Sequence, residues 1–357
     1  MRIALITDTH WGVRNDSQIF IDYYRKFYNE TFFPYLEEND ISTIIHLGDI
    51  VDRRKYIAYT SLRAMNEIFM EPAENYDLHI IIGNHDVPYK NTNDINAMQE
   101  VYGDGINWYS ETTEVSFDGC NILLVPWINS ENYERSIQMI NATRSEILMG
   151  HLEVAGCLMQ RGMINPHGLE LDIFKNFDMV MSGHFHTRSK TKNVHYLGCP
   201  YELTWSDYQD QKGFHIFDTD TRELEFVKNP LNMFHKIWYS DEGKTLDEIM
   251  DNCPGPVRRR DFSAYEGTYV KVIKQTNLNP YHFDLFMDEL YKSNPANIQL
   301  VDDHLNLDLD DDDDIVNEAE DTATILSNYI DSLNTTVDKK RLDTLMRTLY
   351  NEALHVE

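Results

Sequence analysis

Two histidines stand one residue apart in Ser182-Gly183-His184-Phe185-His186, directly after the largely apolar run Phe177–Met181. The pattern of an apolar run ending on Gly, Asp, Asn or His recurs four times upstream. Asp8-Thr9-His10 follows Ile3–Thr7, and Gly48-Asp49, with Asp52-Arg53 behind it, follows Ile41–Leu47. Gly83-Asn84-His85-Asp86 follows Leu78–Ile82, and Gly150-His151 follows Ile147–Met149. Taken singly, a DxH or a GD is an ordinary turn; five such pieces in order, each behind a strand candidate, are specific. Imidazole nitrogens with carboxylate and amide oxygens suit borderline divalent ions such as manganese, iron or zinc, and no thiolate joins the set. Asp8, His10, Asp49, Asn84, His151, His184 and His186 are seven candidate ligands. One four-coordinate ion does not need so many; two ions sharing a carboxylate do. The HxH spacing fits that arithmetic. Residues one apart on an extended segment point to the same side, so each imidazole can reach a different ion of a pair ~3.5–4 Å apart.

The elements that must carry these residues alternate. Strand-like runs at 3–7, 41–47, 78–82, 121–125, 147–149 and 179–181 are separated by helical stretches at about 18–36 and 58–69, which predicts an α/β architecture. In open α/β sheets ligands bind at the carboxyl ends of strands, and glycine lets the turns there come close to what is bound. Between 191 and 227 short β-like runs separated by turns predict hairpins. We expect a principal domain over 1–230, a smaller capping domain over 231–300, an acidic linker over 301–321 and a helical segment over 322–357. In that last segment Leu326, Tyr329, Ile330, Leu333, Leu342, Leu345, Met346 and Leu349 recur at helical spacing, read as two short helices. The remaining histidines, among them His46, His79, His195, His215 and His235, are read as core or surface residues.

The formal net charge is −29, which argues against binding nucleic acid through the overall field. Eleven acidic residues lie in 302–321 with no Lys or Arg; without them the rest still carries −18. A phosphate-bearing ligand must therefore be held by local chemistry. The acidic segment cannot bury enough apolar surface to order itself. No run long enough for a transmembrane helix occurs, and MRIALITDTH reads as a first strand rather than a signal peptide. Cys120, Cys157, Cys199 and Cys253 form no CxxC pair and are read as reduced thiols of an intracellular protein.

In this order, DxH, GDxxDR, GNHD, GH and GHxH resemble the calcineurin-like metallophosphoesterases over roughly residues 1–200. DTHWG at 8–12, GDIVDRRK at 48–55, GNHDVPYK at 83–90 and YLGCPYELTW at 196–205 are closest to the nuclease subunit of SbcCD-type double-strand-break repair complexes, the bacteriophage recombination endonuclease subunit among them. The resemblance implies a four-layer β-sandwich flanked by helices, a smaller α+β cap and a C-terminal helical motif gripping the coiled-coil root of an ABC-type ATPase. It implies that Asp8, His10 and His186 hold one metal, that Asn84, His151 and His184 hold the second, and that Asp49 bridges them, with manganese the expected ion. His85 would face the scissile phosphate and protonate the leaving oxygen. Some family members carry His where this chain has Asp52, so Asp52 is read as orienting His85 or Arg53 rather than transferring a proton.

The implied activity is a DNA exonuclease and endonuclease working as a homodimer with the ATPase on duplex ends and single strands, in the cytoplasm, away from membranes. The alternative is a stand-alone metallophosphatase or cyclic-nucleotide phosphodiesterase, which has no evident use for tethered helices. Arg53, Arg54, Lys55 and Lys90 follow the second and third motifs, and Arg258–Arg260 lie in the cap. These basic groups either hold backbone phosphates or form ion pairs on an acidic surface.

Overall fold

A computed structural model describes residues 1–251 and 262–302, with positions 339, 342 and 346. Residues 1–305 form one compact unit and 306–357 a second. Seventeen strands occur among the described residues. The first sheet runs β14 (Leu224–Lys228), β13 (Gly213–Asp218), β1 (Arg2–Ile6), β2 (Thr43–His46), β3 (Asp77–Ile81), β4 (Asn107–Tyr109). The second runs β11 (Ser189–Thr191), β12 (Val194–Tyr196), β10 (Met179–Gly183), β7 (Ile147–His151), β6 (Cys120–Val125), β5 (Thr113–Phe117). A two-stranded ribbon joins β8 (Leu158–Gln160) to β9 (Met163–Ile164).

Strands β1 to β4 are mutually parallel, as are β6, β7, β10 and β12; β13, β14, β5 and β11 add antiparallel edges. The central strands are apolar on both faces, because each sheet is covered twice. In β1, Ile3 and Leu5 point between the sheets, where they meet Ile122, Leu124, Met149 and Met181. Ala4 and Ile6 point outward, into the helices. The helix Gln18–Phe27 buries Phe20, Ile21, Tyr23, Tyr24 and Phe27 on that face, a helical period. On the far side of the second sheet, Leu123, Val125, Leu148 and Val180 pack with Ile140 of the helix Tyr133–Ala142. The result is four layers, helix on sheet on sheet on helix.

The hairpins expected over 191–227 form as β11–β12 and β13–β14, but they belong to different sheets; β13 pairs antiparallel with β1 and β14 is the edge of the first. The helix expected at 58–69 begins at Tyr59 and passes into a π-turn at Asn66–Met70. The helices Ala97–Tyr102 and Tyr133–Ala142 and the strands β4 and β5 were not foreseen.

A third, all-parallel sheet comprises β15 (Phe234–Ser240), β16 (Tyr269–Thr276) and β17 (Asn297–Asp302). Its own core, with Ile237, Tyr239, Val272, Phe286 and Leu290, packs it on the helices Leu246–Asp251 and Pro280–Lys292. The Glu202 carboxylate ties this sheet to the main body by accepting the amides of Met233 and Phe234 at 2.6 and 2.9 Å. Strand β17 runs through Val301 and Asp302, the start of the segment read from sequence as linker, and Asp302 pairs with Lys274 at 2.7 Å.

The rest of the acidic segment, Arg258–Arg260, Cys253, Leu326, Tyr329, Ile330, Leu333, Leu345 and Leu349 lie outside the described residues. Leu342 and Met346 are helical and half-buried. Cys120, Cys157 and Cys199 are buried free thiols. Among the described residues no helix is long and apolar enough to cross a membrane.

Candidate metal centre

The loops after β1, β2, β3, β7 and β10 meet at one end of the sandwich. Asp8 donates its amide to Gly48 O (3.0 Å) and His10 its amide to Asp49 O (3.2 Å), so the first loop is strapped to the second. Asp8, His10, Asp49 and His184 have positive φ, at 52°, 46°, 55° and 89°. Left-handed non-glycine residues cost on the order of 1–3 kcal/mol and persist where surrounding contacts over-determine them. Here the contacts are dense. A Cβ at Gly83 would stand 2.3 Å from Asp49 Oδ1, and one at Gly183 only 2.0 Å from Thr7 Oγ1, so neither position admits a side chain.

Two groups of donors result. Asp8, His10 and His186 form one, with ligand atoms within 4.8 Å of one another. His10 Nε2 is 3.0 Å from His186 Nε2, which is 3.9 Å from Asp8 Oδ1. Asp49, His151 and His184 form the other. Asn84 Oδ1 joins them, 2.9 Å from both His151 Nε2 and His184 Nδ1. Asp49 Oδ2 stands between the groups, 3.3 Å from His151 Nε2 and 4.0 Å from His10 Nε2. All seven sequence-selected donors are thus brought together, and His184 and His186 fall in different groups. The split does not come from an extended HxH segment: β10 ends at Gly183 and the positive φ of His184 turns the chain. The His184 amide is aimed back at Asp8, 3.1 Å from each carboxylate oxygen.

The donor chemistry fits a cation. His151 Nδ1 lies 2.8 Å from Leu47 O; that carbonyl can only accept, so Nδ1 carries a proton, and in the neutral form that a metal ligand must take, Nε2 presents a lone pair. That lone pair faces Asn84 Oδ1 and Asp49 Oδ2, both acceptors, and Asp49 Oδ2 is buried without a hydrogen bond among the described residues. Convergent buried acceptors are costly unless positive charge joins them. The charge balance agrees. Burial works against a charged His151, yet the Asp49 carboxylate outweighs it and raises the imidazole to about 9. Burial likewise opposes ionised Asp49, but His151 and His85 hold its carboxyl well below the usual range. Burial raises Asp8. Divalent ions satisfy the same demand, and the set Asp8, His10, His186 with Asn84, His151, His184 around Asp49 could hold two.

His85 lies beside this set. Its amide donates to Asp49 Oδ1 at 2.7 Å, its ring stands edge-on to His10 with centroids 4.9 Å apart, and its Nδ1 contacts Asp52 O. Asp52 therefore meets His85 through its main chain; its carboxylate is turned to His10, Oδ1 to Nδ1 3.6 Å. Arg53 is engaged within the protein, by an ion pair to Asp16, a hydrogen bond to Gly12 O (3.3 Å) and the ring of Tyr56 (4.7 Å). Arg54 is half-buried, whereas Lys55 and Lys90 are exposed.

Several residues that shape the centre were not singled out from sequence. Asp86 is buried and accepts four amides, from Asp49 (2.9 Å), Ile50 (2.8 Å), Val51 (3.2 Å) and Gly83 (2.8 Å), pinning the second loop to the third. Burial first, then the Asp49 charge, raises Asp86 to about 6. Thr7 donates to Asp8 Oδ2 at 2.6 Å. Burial drives His46 down to about 3; the neutral ring accepts the Gly48 amide and bonds Thr9 Oγ1. Trp127 covers His184, with ring centroids 5.2 Å apart. The GNHD motif was the available signal for Asp86; nothing local marks the others.

The calcineurin-like phosphoesterase family model matches residues 1–188. The chain is 31% identical over 363 residues to "Exonuclease subunit 1" of Enterobacteria phage T4, covering 99% of each. Among solved structures, an archaeal phosphodiesterase is similar at 14% identity and TM-score 0.31, over 64% of this chain and all of that one. A purple acid phosphatase from yellow lupin (Lupinus luteus) seeds is similar at 13% identity and TM-score 0.34, over 65% of this chain and 46% of that one.

Proposed function

The chain belongs to the calcineurin-like phosphoesterase family, and from that premise we propose that it is a DNA nuclease subunit hydrolysing phosphodiesters at a two-ion centre. The observation that carries this reading is the pair of donor groups on either side of one carboxylate, Asp49, with His85 hydrogen-bonded to that same side chain. Asp8, His10 and His186 would hold one ion, Asn84, His151 and His184 the other, with Asp49 shared; nitrogen and oxygen donors without thiolate suit manganese, iron or zinc, and manganese is the ion the family resemblance implies. Two such ions acidify water and neutralise phosphoryl oxygens.

The chain's own groups supply the rest. Asp49 and the Asp52 carbonyl fix the pose of His85, whose Nε2 delivers a proton to the departing sugar oxygen. Asp52 steadies His10 through Nδ1. Trp127 shields the His184 side from water. Lys55 and Lys90, exposed beside the second and third motifs, are available to backbone phosphates, with Arg53 and Arg54 shaping the same rim.

The relative named an exonuclease subunit supports DNA as substrate and a multi-subunit setting. In our reading the partner is an ABC-type coiled-coil ATPase gripped by residues 322–357, the nuclease chain is a homodimer, and both work in the cytoplasm. The 231–300 region acts as a cap over bound DNA. Turnover of linear duplex DNA against a nitrophenyl phosphate ester under manganese tests the reading. DNA should be much the better substrate; preference for the small ester would move the assignment to a stand-alone phosphatase. Co-purification of an ATPase with the full chain, lost on deleting residues 322–357, tests the partner.

A further inference from the structure

Lys212 is 4% exposed, on a residue type rarely buried unless paired. Its ammonium has three N–H donors and three acceptors: Asp207 Oδ1 at 2.6 Å, Asp210 Oδ2 at 3.0 Å and the main-chain oxygen of His186 at 2.7 Å. Two carboxylates already offset the cost of burying the charge. The third bond goes to the backbone of a candidate ligand.

His186 needs such support more than Asp8, Asp49 or His151 do. It lies in the loop between β10 and β11, outside any ladder, and its side chain is 18% exposed where those of Asp8, Asp49 and His151 are at most 1%. What holds its peptide is a clamp on its carbonyl: Lys212 Nζ, the Cys199 amide at 3.2 Å, and Gly198, where a Cβ would stand 2.8 Å from the same oxygen. Asp207 anchors the lysine in turn. Its other oxygen accepts the amides of Leu203 and Thr204 at 2.9 and 3.0 Å.

We infer that Lys212 is a positioning residue for the Asp8–His10–His186 ion site, setting the reach of the His186 imidazole through its carbonyl. This rests on the two-ion reading above. Loss of an outer partner of a ligand typically costs about 10–100-fold in metal affinity.

The test is manganese binding by the full chain, followed by calorimetry and by the electron paramagnetic resonance of the ion pair, with melting of each metal-free variant measured alongside. Wild type should bind two ions with a spin-coupled spectrum. Lys212→Met should weaken one ion about 10–100-fold and leave the uncoupled spectrum of the other. Asp207→Asn keeps Lys212 on Asp210 and on His186, so it should lower the melting temperature while retaining the coupled pair. Should Lys212→Met not fold, the double variant Lys212→Met with Asp207→Asn removes the more deeply buried of the two stranded carboxylates, leaving the more exposed Asp210 to solvent, and should show the same single-site loss. A coupled pair of wild-type affinity in the lysine variants overturns the inference, as does an equal loss in Asp207→Asn, which would report only general loosening. A wild type that binds fewer than two ions would instead sink the two-ion centre itself.

Discussion

The carboxylate of Asp86 accepts the amide of Asp49 at 2.9 Å, so the acid closing one motif sets the pose of the acid opening another. Neither residue reaches its partner through local sequence; they are 37 positions apart. Around that bond the second and third loops become one rigid piece.

Asp86→Asn keeps the shape and puts an NH2 group against two of the four amides now accepted. Buried donors facing donors should lower unfolding free energy by about 3 kcal/mol, read by urea unfolding of the metal-free protein. Manganese affinity should fall at both sites, since Asp49 is the carboxylate proposed to serve both. Wild-type stability in this variant would mean the four short contacts carry no weight.

His85→Ala removes a ring that touches the centre without belonging to either donor group. DNA cleavage should fall about 10²–10⁴-fold, the usual worth of a positioned general acid, with two manganese ions retained. Asp49→Ala should lose both ions. Loss of metal in the His85 variant would make it a ligand rather than an acid.

Gly183→Ala drives a methyl group into Thr7 Oγ1 and toward Asp8 Oδ2, 2.9 Å from the ideal Cβ position. Overpacking of this kind costs roughly 1–3 kcal/mol. The Asp8 side of the centre should bind manganese more weakly, and Thr7→Ala in the same chain should recover part of the loss. Crystallography of the double variant would show whether Asp8 has moved back.

These cases mark how far the sequence could be read. The donors were legible because each stands at a strand end beside glycine, where type and place coincide. Their supports were not. Lys212 and Trp127 acquire their roles from other segments of the chain, as when Asp8 meets the His184 amide 176 residues on, and Thr7, though it bonds the adjacent Asp8, has nothing in its type to mark it. Likewise β1 to β3 and β6, β7 and β10 are equally apolar, so periodicity alone cannot divide them between two sheets. Strand β4, only Asn107–Tyr109, is too short to show a period at all.

His215, buried in β13 against Phe226, supplies a pH test away from the centre. Burial, then Arg188, lowers its imidazole from 6.5 to about 3. A depressed folded-state value means the neutral ring favours folding above pH 6.5, and that contribution is lost as pH falls toward 3. Between pH 7.5 and 5 the unfolded chain gains a proton the folded one refuses, worth about 2 kcal/mol. His215→Phe should lose that much less stability over the interval, measured by urea unfolding at both pH values. Equal losses would place the acid sensitivity elsewhere.

Strand β13 lies hydrogen-bonded along β1, so the chain's opening strand gains its antiparallel neighbour only from residues 213–218. A chain emerging from the ribosome has presented every donor by His186, yet it still lacks that neighbour and the lysine just before it. Synthesis thus builds in a delay. With the clamp inferred for His186, the donor set is complete only once residues 212–218 have emerged.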